Sequence, residues 1–155
     1  MKTVREIIKG HELHVVQEDQ MILEVIHVMA QSHIGAVPVL AGDRLVGIFS
    51  ERDLMIRVVA QGLDPRSTRV AEVMTREILV VDAEESYDQC LRKMKQINAR
   101  HLPVVSKDSL VGMISLRDLL LFGIDAKDEE IRMLTAYIHY VPPGWKGEEP
   151  GGTPR

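Results

Sequence analysis

Hydrophobic positions along the chain switch between a strand period and a helix period, and they do so in the same order twice. Short apolar runs at residues 13–16 and 78–81 predict strands. Each run is followed by an amphipathic helical stretch and then by two β-branched runs joined by a polar turn, which is a hairpin pattern. A second helix follows each hairpin; the first of these is expected from Ser50 to about Gln61, where Gly62 ends it. Each unit therefore has the predicted order β-α-β-β-α.

The two units are copies of one sequence. Ten of the seventeen residues between Pro38 and Leu54 recur 65 positions later, between Pro103 and Leu119. Because internal repetition sets an architecture, we predict an α+β fold in which tandem repeats pack about a pseudo-twofold axis. The predicted ranges are 1–62 for the first repeat, 63–69 for a turn-rich linker, 70–124 for the second repeat, 125–141 for an added C-terminal helix and 142–155 for a disordered tail.

Composition narrows the classes of function. The formal charge of −4 provides no electrostatic footprint for nucleic acid as a main partner. The single cysteine, Cys90, excludes an intramolecular disulfide, suits a reducing compartment and is expected to be a buried, inert thiol. The chain shows neither a signal-peptide pattern nor an apolar stretch of about eighteen residues, so we expect a cytoplasmic protein with no membrane partner.

Each hairpin ends in a polar turn of the form Gly-h-h-Ser-x-Arg-Asp, where h is apolar. A carboxylate three residues after a serine at a helix start can accept two hydrogen bonds from a vicinal diol. The neighbouring arginine and free helix amides suit a phosphate. The alternative is that Ser-x-x-Asp is only a capping box that satisfies backbone amides. The residues concerned are Ser50, Arg52 and Asp53 in the first copy and Ser115, Arg117 and Asp118 in the second.

The segments PVLAGDRLVGIFSERD and PVVSKDSLVGMISLRD, each preceded by a strand and an amphipathic helix, resemble a CBS domain pair (CBS for cystathionine β-synthase), also called a Bateman module. The resemblance covers about residues 4 to 123. It implies two clefts between the repeats, dimerisation through the helices, and binding of an adenosine-containing ligand such as AMP, ADP, ATP, NAD or S-adenosylmethionine. In this family the aspartate holds the ribose hydroxyls and the serine lies near the phosphate. The modules regulate and do not catalyse, so the resemblance implies no catalytic residue and no required cofactor.

The same resemblance suggests further site residues. Arg100 and His101 form a basic pair in a segment that related nucleotide sensors, such as the gamma subunit of AMP-activated protein kinase, place against phosphates; the first copy has Gly35 and Ala36 there. We therefore expect the stronger anion site at the second copy, where Arg117 would join this pair. Thr75 belongs to a Met-Thr pair found near the ligand in the family. Four residues are expected to flank the adenine or close its slot, with plain core as the alternative for each: Val16, Pro38, Val81 and Pro103.

Two other patterns concern a metal site and the position of the proline-containing strands. The segment His11-Glu12-Leu13-His14 holds three potential metal ligands, but histidines at i and i+3 entering a strand point to different faces, so we expect no metal site. Pro38 and Pro103 lack an amide donor, so their strands are expected at a sheet edge or beside a cleft.

Three classes of function remain open. The first is a regulatory module that binds an adenine nucleotide and acts in trans on an unknown effector protein. The second is an interaction scaffold of the same fold with vestigial clefts, and the third is an enzyme or a binder of another ligand. The Ser, Arg and Asp present in both turns favour the first class. A homodimer is expected because four apolar residues are predicted on exposed helix faces: Ile22, Ile26, Val58 and Val59.

Overall fold

The computed structural model describes residues 2–123 and 128–138. The first repeat contains α1 (Val4–Ile7), β1 (Val16–Gln17), α2 (Ile22–Ser32), β2 (Ala36–Ala41), β3 (Arg44–Ser50) and α3 (Glu51–Asp53), which continues into a π-helical segment (Leu54–Val59). The second repeat contains α4 (Val70–Val73), β4 (Val81–Asp82), α5 (Tyr87–Ile97), β5 (His101–Ser106), β6 (Ser109–Ser115) and α6 (Leu116–Phe122), and α7 (Asp128–Ile138) follows. The mixed α+β fold and its tandem repeats are confirmed, and the predicted tail at 142–155 lies outside the described residues.

Each repeat forms a three-stranded sheet in which a long hairpin carries one very short parallel strand. The strand orders are β1-β2-β3 and β4-β5-β6. β1 pairs with Val39 and Leu40 alone, and β4 pairs with Val104 and Val105 alone. The runs predicted as strands at 13–16 and 78–81 therefore contribute only their last residue to a strand.

Proline explains why these parallel strands are so short. Pro38 and Pro103 precede the paired residues of β2 and β5, and proline has no amide to donate to a neighbouring strand. The expectation that their strands lie at a sheet edge was wrong, because β2 and β5 are the middle strands. On the side of the short parallel strand, however, the first half of each middle strand has no strand partner among residues 2–123 and 128–138, which leaves room for a cleft.

The long helix of each repeat, α2 or α5, buries one face against the sheets. α5 begins with the predicted capping box, in which the Gln89 amide donates to Ser86 Oγ at 3.2 Å. α2 begins after Met21, which provides no side-chain cap, as its sequence indicated. The buried positions are Ile22, Val25 and Met29 in α2 and Cys90, Leu91 and Met94 in α5.

The helix after β3 is wider than a regular α-helix. The Ala60 amide donates to Met55 O at 2.9 Å and the Leu63 amide donates to Val58 O at 3.0 Å, both across five residues. Gly62 follows with a φ of +69°, which ends the helix as predicted. The segment buries Val58 but leaves Val59 66% exposed, next to the similarly exposed Met55 and Ile56.

The helix faces predicted to be exposed are therefore only partly so. Ile22 and Val58 are fully buried in the core, so their assignment to an exposed face was wrong, and Ile26 is partly buried against the same core. The reason is that both helices turn these residues towards the sheet of their own repeat. Val59 alone of the four remains largely exposed.

The short helix at the start of each repeat packs against the other repeat, so the two lead-in segments are exchanged between the repeats. In α1, the Val4 amide donates to Glu85 O of the second repeat at 2.9 Å. In α4, the Val70 amide donates to Gln20 O of the first repeat at 2.9 Å. Each repeat is thus completed by the segment that leads into the other, so a cleft beside one sheet is lined by residues of both.

The segment after α4 approaches the first repeat more closely than the segment after α1 approaches the second. Beyond α4 the chain stays extended and pairs with β3, where Ile48 and Thr75 exchange two backbone hydrogen bonds of 3.0 and 2.8 Å. Gly47 permits this approach, because a Cβ at Gly47 would lie 2.8 Å from Thr75 O and 2.7 Å from Met74 Sδ. A Cβ at Gly112 would instead meet the end of the Ile8 side chain, at 2.6 Å from its Cδ1.

Candidate functional site

A cavity of about 670 Å³ opens beside the first polar turn, a volume typical of small-molecule sites. Both repeats line it, because the exchanged segment after α4 and the start of β5 close over the end of β3. The lining residues are Gly35, Ala36, Ile48, Ser50, Glu51, Arg52, Asp53, Thr75, Glu77, Ile78, Leu79, Ile97, Asn98, Ala99, Arg100, His101 and Leu102.

The first turn forms the capping box that the sequence predicted as one of its two possible roles. The Asp53 amide donates to Ser50 Oγ at 3.2 Å, and the Ser50 amide donates to Asp53 Oδ2 at 3.0 Å. The Ser50 hydroxyl also donates to Asp53 Oδ2, at 3.1 Å. Ser50 and Asp53 therefore order the start of α3, and Asp53 is 6% exposed.

The other carboxylate oxygen of Asp53 has partners that no capping box requires. Thr75 Oγ1 donates to Asp53 Oδ1 at 3.0 Å, and Arg57 Nε lies 3.6 Å from the same oxygen. Arg57 in turn donates to Met74 O at 2.9 Å, so it links the π-helical segment to the exchanged chain. A carboxylate offers about four acceptor positions, of which two at Oδ2 and one at Oδ1 accept hydrogen bonds. The fourth position, at Oδ1, accepts no hydrogen bond from residues 2–123 and 128–138, and Arg57 lies near that oxygen.

The sequence singled out Thr75 but missed Arg57. Its position four residues after Asp53 was the available signal, because residues at i and i+4 face each other on a helix. The second copy has Phe122 at the corresponding place, which is 65 residues later.

Two arginines line the cavity without a protein partner. Arg52 and Arg100 are exposed, and within residues 2–123 and 128–138 neither makes a side-chain hydrogen bond or an ion pair. Their guanidinium groups are therefore available to an anion. Cationic arginine can bind a phosphate through two parallel hydrogen bonds.

His101 contributes a ring that is neutral at neutral pH. Burial lowers the pKa of His101 from its ordinary value, and the Arg100 cation lowers it further. The carboxylates of Asp118 and Glu51 act in the opposite direction and do not outweigh burial. His101 thus lies within electrostatic reach of both polar turns, and at neutral pH it can serve as a hydrogen-bonding group.

The cavity brings together a different set of basic residues from the one expected. The sequence favoured an anion site made of Arg100, His101 and Arg117, but Arg100 and His101 line the cavity of the first turn and Arg117 does not. The crossed packing of the repeats is the reason, since it brings the start of β5 opposite the end of β3. The expectation of a stronger anion site at the second copy stays a prediction, and Arg100 and His101 are also available to the first turn.

The second turn has the capping box alone. The Ser115 amide donates to Asp118 Oδ2 at 2.7 Å, and the Asp118 amide donates to Ser115 Oγ at 3.0 Å. In the part of the chain that the structure describes, Asp118 makes no further hydrogen bond or ion pair. The two turns share a sequence but differ in surroundings.

The four residues expected around the adenine lie in the core and do not line this cavity: Val16, Pro38, Val81 and Pro103. Its apolar walls come instead from Ile48, Ile78, Leu79 and Leu102. Ile78 and Leu79 belong to the apolar run that was predicted as a strand. Because only Val81 of that run enters β4, these two side chains are left beside the cavity.

Metal binding, a membrane span and thiol reactivity each require a recognisable arrangement of residues. Over 2–123 and 128–138 no three side chains of His, Cys, Asp or Glu converge as metal ligands would, and no helix is long and apolar enough to cross a membrane. Cys90 is buried, and burial with the nearby Glu85 carboxylate raises its pKa to about 12 against the opposing effect of Lys93. Its thiol is therefore protonated and unreactive at neutral pH.

Comparison with known proteins places these features in a family. A family model described as CBS domain matches the chain twice, over residues 4–60 and 70–125. The mitochondrial CBS domain-containing protein CBSX3 of Arabidopsis thaliana is 30% identical over 125 residues. The match covers 77% of this chain and 61% of the plant protein, so it spans less than two thirds of that relative.

Solved structures show the same architecture. A CBS-domain protein from Burkholderia ambifaria is 35% identical, with 82% of this chain and 97% of that chain covered and a TM-score of 0.76. The CBS domain pair of protein MJ0100, solved in complex with 5′-methylthioadenosine and S-adenosyl-L-methionine, has the same fold at 24% identity, with 81% and 98% covered and a TM-score of 0.71. Two family matches that occupy most of the sequence, together with the paired three-stranded sheets, show that the chain belongs to the CBS-domain family as a tandem pair.

Proposed function

We propose that this CBS pair is a regulatory module that binds an adenosine-containing ligand in the cavity at the first turn. It acts by binding and not by catalysis, and it signals occupancy in trans to a separate effector protein. The observation that carries the proposal is the cavity at the first turn, in which the buried Asp53 carboxylate also bonds Thr75 and in which Arg52 and Arg100 have no side-chain partner among residues 2–123 and 128–138. The structure of MJ0100 with two adenosine ligands supports the ligand class, since it shows that the fold can hold them.

Each part of such a ligand corresponds to a set of residues in the cavity. A ribose hydroxyl would donate to Asp53 Oδ1, and the second hydroxyl of the diol would take the place of the Thr75 hydroxyl there. Phosphate or another anionic group would contact Arg52 and Arg100. The adenine ring would lie against the apolar side chains of Ile48, Ile78, Leu79 and Leu102.

The Asp53 network offers a route from the cavity to the surface. A ligand hydroxyl that binds Asp53 Oδ1 would compete with the Thr75 hydroxyl for that oxygen. It would also lie near Arg57, which contacts the same oxygen and donates to Met74 O in the segment after α4. Arg57 lies in the π-helical segment, whose exposed residues Met55 and Val59 form an apolar face. We infer that this face joins two copies of the chain in a homodimer and responds to occupancy.

A scaffold with vestigial clefts is the second candidate. It is favoured by the fact that Ser50 and Thr75 already fill three acceptor positions of Asp53, so the turn is stable without a ligand. The two candidates differ in whether any adenosine compound binds.

Matched variants at the two turns test the proposal. Calorimetry and thermal unfolding of the purified protein with adenosine, AMP, ATP, NAD and S-adenosylmethionine should reveal at least one ligand that raises the melting temperature. Stabilisation reaches about 2.7 kcal/mol at one hundred times the dissociation constant. Asp53→Asn should weaken that ligand by about 1.5–3 kcal/mol, because a charged acceptor is lost. Asp118→Asn, which alters the same capping box in the turn that does not line the cavity, should weaken the ligand much less, through the electrostatic effect of Asp118 on His101 alone.

The outcomes separate the candidates. If none of the five compounds binds, the scaffold reading stands. If Asp118→Asn weakens the ligand as much as Asp53→Asn does, the ligand is not in the cavity described above.

A further inference from the structure

The charged groups around the cavity are balanced, and we propose that this balance selects adenosine ligands of low net negative charge and rejects nucleoside triphosphates. Glu51 and Glu77 are the residues that determine this selectivity. The inference rests on the proposed function, because it specifies which members of the ligand class the cavity accepts.

The balance appears when the charges are paired by their contacts. Three carboxylates and two guanidinium groups line the cavity: Glu51, Asp53 and Glu77 against Arg52 and Arg100. Arg57, which lies outside the cavity, contacts Asp53 Oδ1 at 3.6 Å and offsets the charge of that carboxylate. Two free acids then remain against two free bases, so the site as a whole offers an anion no net positive charge.

Neither acid is neutralised by a protein partner. Across the described ranges, 2–123 and 128–138, the side chains of Glu51 and Glu77 make no hydrogen bond and no ion pair. Both residues are exposed, so their carboxylates are accessible to solvent and to charged groups of a ligand. A second anionic group that reaches beyond the arginines would therefore face an unpaired carboxylate.

Glu51 lies close to His101, the neighbour of Arg100 in the chain. A Cβ on Gly35 would be 3.5 Å from Glu51 Cδ and 3.6 Å from His101 Cε1, so the carboxyl group and the imidazole ring both lie next to the residue that precedes β2. Glu77 lines the same cavity, two residues after the threonine that contacts Asp53. The two acids thus share the cavity with the two arginines.

The size of the effect follows from charge separation. Two unit charges 4 Å apart in water repel with enough energy to change an affinity about fivefold, and the effect is larger near a protein surface. A monophosphate can satisfy both arginines, whereas a triphosphate brings additional charges towards Glu51 and Glu77. We therefore expect AMP to bind at least about tenfold more tightly than ATP in the absence of divalent cations.

Calorimetry with adenosine, AMP and ATP in EDTA tests this selectivity in the full chain. The double variant Glu51→Gln, Glu77→Gln should gain at least about tenfold in ATP affinity, while adenosine affinity stays within about twofold. Glu12→Gln is the matched control, because Glu12 occupies the position of Glu77 in the first copy and does not line the cavity. Since all three glutamates are exposed, the variants should keep the melting temperature of the native protein.

The result that overturns the inference differs from the result that overturns the proposed function. Binding of adenosine and AMP with ATP equally tight, or an equal gain for AMP and ATP in the double variant, would refute charge selection and leave the ligand class standing. Absence of binding by adenosine, AMP and ATP to the native protein would refute the inference, whereas the proposed function fails only if NAD and S-adenosylmethionine do not bind either.

Discussion

Gly47 provides the sharpest test of how the two repeats are joined. In Gly47→Ala the new methyl group would lie 2.8 Å from Thr75 O, and ordinary contact begins at 3.4 Å. The Met74–Thr75 backbone would therefore have to move by about 0.6 Å, which is the difference between those two distances. That movement strains the two hydrogen bonds between Ile48 and Thr75, at 3.0 and 2.8 Å, and separates the Thr75 hydroxyl from Asp53.

The expected loss of stability combines two effects. Overpacking against a backbone atom costs about 1–3 kcal/mol, and each weakened hydrogen bond contributes about 1 kcal/mol. A backbone shift that relieves the strain also weakens the hydrogen bonds, so the two costs do not add in full. We therefore expect Gly47→Ala to lower the free energy of unfolding by about 2–4 kcal/mol. Urea denaturation followed by far-UV circular dichroism measures this as a lower midpoint at an unchanged slope.

Gly112→Ala is the matched control in the second repeat. Its methyl group would meet the Ile8 side chain at Cδ1, and the next nearest atoms are at 3.8 and 3.9 Å. Ile8 is half-buried and can change rotamer, so the expected loss is below about 1 kcal/mol. If Gly112→Ala is as destabilising as Gly47→Ala, then the close approach of the exchanged segment does not account for the glycine in this motif.

Two further predictions concern the surface and the buried imidazole. Val59→Asp should convert a homodimer into single chains of 17.5 kDa in light scattering, because Val59 is 66% exposed on the apolar face of the π-helical segment; a native protein already at that mass would contradict the dimer. Because the pKa of His101 is lowered in the folded protein, the unfolded state binds the proton first as pH falls below about 6.5, so stability should decrease from there towards the folded-state pKa. His101→Gln should lack this part of the pH dependence. Denaturation of both proteins between about pH 7.5 and about pH 5.5 measures it. If the unfolding free energy falls equally with pH in the native protein and the variant, burial of His101 has no such effect.

The sequence by itself determined the features that depend on local pattern and repetition. The order of elements followed from hydrophobic period, and the tandem organisation followed from residues identical at a spacing of 65. The helix starts at Ser50 and Ser86 followed from capping motifs, and the burial of Cys90 followed from its helix face. Each of these signals is contained within a few turns of helix or a few residues of strand.

The tertiary structure decided which of the matched residues meet. The pairing of Thr75 with Ile48, and therefore with Asp53, joins segments more than twenty residues apart and has no local signature. The same is true of Arg100 and His101, which the exchange of lead-in segments carries from the second copy to the cavity of the first turn. The repeats look equivalent in sequence because the motif is local. They differ in space because Gly47 admits a backbone from the other repeat, whereas the space at Gly112 is occupied by the side chain of Ile8.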